Sequence, residues 1–137
     1  MLNLHSGTKE HHGIAQVRAF LSAMEDRDLP RAERYLAATV TIRFPGSPTM
    51  SRLSEVVEWA QARYRQVHKT IHAVDLCSDQ QRCANADHCV VVCHGELSVE
   101  WLDGSTSNGV RFIDRFELTD GLITRQEVWN DLALVRR

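Results

Sequence analysis

The sequence predicts an α+β domain in which helices cover one face of a mostly antiparallel sheet. Apolar residues recur at helical spacing only as far as Tyr64, and every later segment alternates polar with apolar residues between turn-forming clusters. The length of 137 residues allows one domain with a substantial core and is too short for two. No linker, repeat or low-complexity stretch divides it, so residues 1–13 read as a flexible leader and 14–137 as the domain.

The first helix follows from Ile14, Val17, Phe20, Leu21 and Met24, which form one stripe. Asp28 then offers an N-cap with Pro30 in the first turn, opening a short helix through Tyr35 and Leu36. Residues Val40 to Phe44 alternate like a strand and stop at Pro45-Gly46. Ser51 caps a third helix whose stripe is Leu53, Val56, Val57, Ala60 and Tyr64. Four strands follow: Thr70 to Cys77, His88 to Trp101, Gly109 to Leu118 and Leu122 to Leu134. They are separated by SDQQRCANAD, DGSTSN and TDG.

Composition excludes several function classes. Net charge is −2 with acids and bases interspersed, which argues against a nucleic-acid or anionic-lipid partner. The longest apolar run, CVVVC at 89–93, is too short to span a bilayer, and MLNLHSGTKEHHG lacks the apolar core of a signal peptide. The expectation is a cytoplasmic protein with reduced thiols. Cys77, Cys83, Cys89 and Cys93 show no paired C-x-x-C spacing, so no structural metal is expected; His88 beside Cys83 and Cys89 is a weaker metal reading than plain packing. No glycine-rich loop implies a cofactor. His5, His11 and His12 of the leader carry no assigned role.

The chemically informative residue is Asp114. On the long strand, Val91, Cys93, Gly95, Leu97, Val99 and Trp101 share the face turned to the helices, and His94, Glu96, Ser98 and Glu100 share the other. The next strand must lay Val110, Phe112, Phe116 and Leu118 on the helix side, because a slip of one residue would bury Arg111, Arg115 and Glu117. That parity buries Asp114. A register pairing Val99 with Val110 puts Gly95 opposite Asp114. For the last hairpin, a two-residue turn at Asp120-Gly121 pairs Asp114 with Glu127 and turns Arg125, Trp129 and Asp131 inward. A three-residue loop Thr119-Asp120-Gly121 pairs it with Gln126 and turns Leu122, Val128 and Asn130 inward. The second buries fewer charges and is preferred, leaving Asp114, Gln126 and Asn130 as polar groups on an apolar wall that includes Phe112.

An unpaired buried carboxylate is costly unless it takes up a proton or finds donors, so a raised pKa is the expectation for Asp114. Such a group serves as an acid or base toward a ligand; tied to an amide or arginine, it would only order the core. Phe20, Phe44, Trp59 and Trp101 either line a cavity with Asp114 at its floor or pack as core. Tyr35 and Tyr64, on helix stripes, are spare donors.

The element order and the run FIDRFELTDGLI, closed by a tryptophan and Asn-Asp, resemble the nuclear-transport-factor-two-like superfamily and its SnoaL-like and ketosteroid isomerase branches. The resemblance spans about Ile14 to Leu134. It implies a cone-shaped, strongly curved antiparallel sheet on three N-terminal helices, a cystatin-like α+β barrel. Asp114 falls where the isomerases have the protonated acid of their oxyanion hole and SnoaL-like cyclases a catalytic aspartate; Asp131 falls where limonene epoxide hydrolases have a catalytic acid. Phe20 and Phe44 stand where the isomerases have their tyrosine and general base, and GELSVEW lacks the Arg-x-Asp pair of the epoxide hydrolases. The resemblance also implies a homodimer through the outer sheet face, where Ile113 and Trp129 emerge between Arg111 and Arg115.

The functional expectation is a small-molecule-binding protein with an apolar pocket and a buried aspartate, transferring a proton on an apolar, oxygen-bearing substrate as an isomerase, cyclase or dehydratase. Asp114 and Asp131 are the candidate catalytic residues; Asn130, Gln126, Phe20, Phe44, Trp59, Gly95, Trp101 and Phe112 are the candidate ligand contacts. The alternatives are a non-catalytic binder and a dimeric scaffold.

Overall fold

The computed structural model describes residues 11–77 and 88–135. Helix α1 runs from His12 to Glu25, α2 from Leu29 to Glu33 and α3 from Leu53 to Gln61. The strands are β1 (Leu36–Arg43), β2 (Tyr64–Leu76), β3 (His88–Trp101), β4 (Thr106–Thr119) and β5 (Leu122–Asn130), and a short α4 spans Leu132–Val135. The sheet order is β1-β5-β4-β3-β2, antiparallel except where β1 runs parallel to β5. This is the expected α+β architecture, with a curved sheet left open at β1 and β2. Most of the leader, the segment SDQQRCANAD and hence Cys83 lie outside the described residues.

Local chemistry explains the element starts. His11 caps α1 by accepting the Gly13 N–H on Nδ1 at 2.9 Å. Asp28 caps α2 through the Arg31 N–H, with Pro30 in the first turn as the sequence indicates. At α3 the cap is reversed: Glu55 reaches back to accept the Ser51 N–H at 3.0 Å. Leu36 opens β1 rather than closing α2, and Tyr64 opens β2 rather than closing α3. The last apolar run bends into α4 at Asp131 instead of staying extended to Leu134.

Two turns set the registers, and both differ from expectation. The β3–β4 connection is tight: Gly104 (φ +89°) donates to the Trp101 carbonyl, and Asp103 accepts from the Ser105 N–H at 2.9 Å. Thr106 to Asn108 therefore belong to β4, and an extra residue beside Gly109 (φ +68°) bulges the strand. The register moves by two, so Cys93 faces Asp114 and Phe112 faces Gly95. At the last hairpin Asp120 and Gly121 both have positive φ, the geometry of a two-residue type I′ turn, with Thr119 paired to Leu122. Thr124 is then an extra residue in β5, which restores the parity that buries Gln126 and Val128 and exposes Trp129. Asp114 consequently pairs with Val128, and Ile123 rather than Leu122 enters the core.

The core lies between the helices and the inner sheet face, where Phe20 of α1 meets Phe116 of β4 edge to face at 6.1 Å. Gly95 marks a close approach of two strands. His72 is an extra residue in β2 opposite Gly95, and a Cβ at residue 95 would lie 2.0 Å from the Thr70 carbonyl oxygen. The glycine thus serves the approach of β2 and does not stand opposite the buried acid. Gly95→Ala is expected to cost about 3 kcal/mol or more, since backbone rather than a side chain must give way. Gly46→Ala, where φ is +78° with open space around it, is expected to cost only about 1 kcal/mol. Urea denaturation of the two variants checks the order.

Candidate functional site

Three elements and two loops line a cavity of about 330 Å³. Helix α1 supplies Leu21 and Met24, α3 supplies Val56, Val57 and Ala60, Phe44 enters from the end of β1, and β2 supplies Tyr64, Val67, Lys69 and Ile71. The wall is apolar except where Arg18, Ser22, Glu25, Arg27, Tyr64 and Lys69 reach it. That volume holds a molecule of roughly one or two fused rings, within the low end of the usual range for small-molecule sites.

Lys69 is the distinctive group. The parity of β2 places Val67, Lys69 and Ile71 on the core face, so the lysine stem runs into the cavity wall. Its ammonium lies 2.6 Å from Asp114 Oδ2 and 4.8 Å from the centre of the Phe112 ring. The Asp114 side chain is fully buried, whereas 18% of the Lys69 side chain remains accessible. The carboxylate therefore sits behind the lysine and away from the cavity. Its second oxygen, Oδ1, is buried without a hydrogen-bond partner among the described residues.

Burial opposes the charge on Lys69, but the Asp114 charge and hydrogen bond outweigh it and raise its pKa above 10.5. Lys69 is thus a fixed cation at any physiological pH and a poor nucleophile. Cys93, opposite Asp114, is pushed up to about 12 by burial and by the carboxylate, so its thiol stays protonated and inert. Burial also raises the Tyr64 hydroxyl. At the cavity mouth Glu25 closes the C-terminal turn of α1 onto the free edge of β2. Its Oε1 accepts the Lys69 N–H at 3.0 Å, and Oε2 lies 3.1 Å from His68 Nδ1.

Of the residues singled out from sequence, Phe44 lines the cavity, Phe112 lies under the Lys69 ammonium, and Asp114 holds it. Phe20 is core against Phe116. Trp59 stacks on Phe44 at 5.3 Å with Arg63 over its ring. Trp101 lies in a separate groove and donates Nε1–H to Ser107 Oγ. Gln126 is buried between Ile42 and Phe116, away from the cavity wall. Gly95, Asn130 and Asp131 border a depression on the outer sheet face, where Asp131 accepts from Arg111 Nε at 2.8 Å and Asn130 Oδ1 accepts the Leu132 N–H. The two candidate acids therefore serve opposite faces of the sheet. Sequence reasoning missed Lys69, Glu25 and Arg27. The alternation Val67, Lys69, Ile71 is the available signal, and it falls largely before Thr70, where the sequence pattern alone opens the strand. No cluster of three or more potential metal ligands occurs among the described residues.

A family model described as a SnoaL-like domain matches residues 17–126. Among solved structures, an NTF2-like protein from Burkholderia pseudomallei aligns with a TM-score of 0.73 at 17% identity, over 92% of this chain and 95% of that one. A SnoaL-like polyketide cyclase from Jannaschia aligns at 0.66 and 13%, over 92% and 90%. An LEH-like epoxide hydrolase from M. tuberculosis aligns at 0.64 and 18%, over 89% and 84%. Identities this low establish a shared fold and nothing of the chemistry. Comparison with curated protein sequences finds no match.

The ion pair predicts a characteristic double-mutant cycle. Asp114→Asn strands a buried ammonium and is expected to cost about 3–5 kcal/mol, whereas Lys69→Met with Asp114→Leu removes both charges and should be near neutral. Because the folded pKa of Lys69 is raised, the pair's stabilisation is fully present below 10.5 and is lost as pH rises through the raised value. Denaturant midpoints across alkaline pH should fall more steeply in wild type than in the Lys69→Met, Asp114→Leu double variant, which keeps the contributions of Cys93 and Tyr64 but lacks the pair.

Proposed function

Because the chain belongs to the family of SnoaL-like domains, whose fold hosts many activities, we propose its function from its cavity: it binds a small, largely apolar molecule through an oxygen that accepts a hydrogen bond from Lys69. The observation that supports this is a charged donor in an apolar wall, held by an acid that is itself sealed from the cavity. The ammonium has three donors, of which Asp114 takes one, so a ligand oxygen finds a positioned partner.

The same geometry favours a narrower reading, proton transfer on the bound molecule. A fixed cation stabilises the enolate oxygen that forms when a water molecule in the open cavity takes a proton from the carbon beside a carbonyl; the water returns it to another carbon in an isomerisation, or to the alkoxide left when the enolate carbon attacks a second carbonyl in a cyclisation. In this role Asp114 acts as a positioning residue for Lys69 and does not touch the substrate. Asp131, paired to Arg111 on the other face, takes no part. Schiff-base chemistry is disfavoured, since Lys69 is held protonated.

The outer face supports a homodimer as a further proposal. Trp129 and Ile113 are half exposed among Arg111, Arg115, Glu117, Arg125 and Glu127, whose ion pairs lie flat on the strands. A twofold contact makes such an apolar centre with a mixed-charge rim self-complementary.

Two measurements test these readings. A thermal-shift screen of small oxygenated hydrocarbons should yield binders of wild type that are lost in Lys69→Met and in Ala60→Trp, which fills the cavity while keeping the fold. Binders indifferent to both substitutions would contradict the site. Sedimentation equilibrium should give a dimer for wild type and a monomer for Trp129→Glu; a wild-type monomer would refute the interface.

A further inference from the structure

The charges around the cavity are unequal. Arg27 and Lys69 bring cationic donors to its wall, against Glu25 as the one carboxylate there among the described residues. Glu25 directs its two oxygens at the edge of β2, to the Lys69 N–H and to His68. The Lys69–Asp114 pair adds a dipole whose positive end faces the cavity, because the carboxylate is fully buried and the ammonium is not. Arg27, on the turn after α1, is positioned by donating Nη2–H to the Arg65 carbonyl at 2.9 Å, and a guanidinium keeps four further N–H donors. Tyr64 lines the same cavity wall as Lys69 and Arg27, so its hydroxyl, whose pKa burial raises, is a third donor beside the two cations.

We propose that the bound molecule carries a single negative charge on oxygen, as a carboxylate or an ionised enol or phenol, seated between the Tyr64 hydroxyl, the Lys69 ammonium and the Arg27 guanidinium. The inference rests on the reading of the cavity as the ligand site and names what that site selects. The hydrocarbon body lies against Leu21, Val56 and Val67. An anionic head receives charge-assisted hydrogen bonds from two cations and one hydroxyl, whereas a neutral ester meets the same donors with about half the strength per bond. A cationic head is repelled.

The test is calorimetric titration near neutral pH with three probes that share one ring body: 2-naphthoate, methyl 2-naphthoate and 2-naphthylmethylammonium. The carboxylate is expected to bind about tenfold or more tightly than the ester, and the cation not to bind. Tyr64→Phe and Arg27→Asn should each weaken the carboxylate several-fold more than the ester and so narrow that preference; asparagine suits the positive φ of 57° at residue 27. An ester that binds as well as the carboxylate overturns the charge recognition and leaves the cavity reading standing. A carboxylate preference that survives both substitutions puts the anion elsewhere and overturns the proposal too. Binding by none of the three overturns the ligand-site reading, and the proposal with it.

Discussion

The contact between Lys69 and Asp114 is the constraint on which the interior depends. Each charge alone would cost several kcal/mol to hold in an apolar core, and each is made tolerable by the other. The pair joins the edge strand β2 to β4 across β3, so it also fixes how far β2 curls over the helices. The bulge at His72 and the absence of a side chain at Gly95 let β2 bend there, and the cavity is the space that bend leaves against α1 and α3. Fold and site thus share one cause.

The asymmetry of the pair gives it chemical direction. Had the carboxylate faced the cavity, the wall would present a base; with the lysine in front, it presents a donor with a fixed positive charge. Glu25 and Arg27 reinforce this arrangement from the end of α1, because each bonds to the backbone of β2 and so fastens the helix to the strand at the cavity mouth. The glutamate leaves its charge at that edge, and the arginine brings further donors toward the opening.

Most of the fold was legible in the sequence because face parity is a strong constraint. Burying Val110, Phe112, Phe116 and Leu118 together leaves Asp114 no alternative, and it is buried. Register was not legible to the same degree, because it depends on turns whose length is ambiguous by one or two residues. Asp103 and Gly104 made a tighter turn than the polar stretch suggested, and Thr124 bulged out to reconcile a two-residue turn with the buried face of β5. The partner of Asp114 was hidden for a different reason. A lysine reads as a surface residue, and only its place between Val67 and Ile71 on one strand face betrays it. Aromatic residues misled in the opposite sense: Phe20, Trp59 and Trp101 suit a ligand cage by type, yet Phe20 packs on Phe116, Trp101 bonds to Ser107, and Trp59 stacks on Phe44 without itself entering the cavity wall.

The most direct test of this account is the titration of the Lys69 side chain by NMR, in wild type and in Asp114→Asn. With the carboxylate present, Lys69 should titrate above its ordinary 10.5; with it replaced by an amide, burial acts unopposed and the value should fall below 10.5. A lysine that titrates at the same pH in both proteins would mean that Asp114 does not hold it, and the account of the cavity as a site built on a charged pair would be wrong.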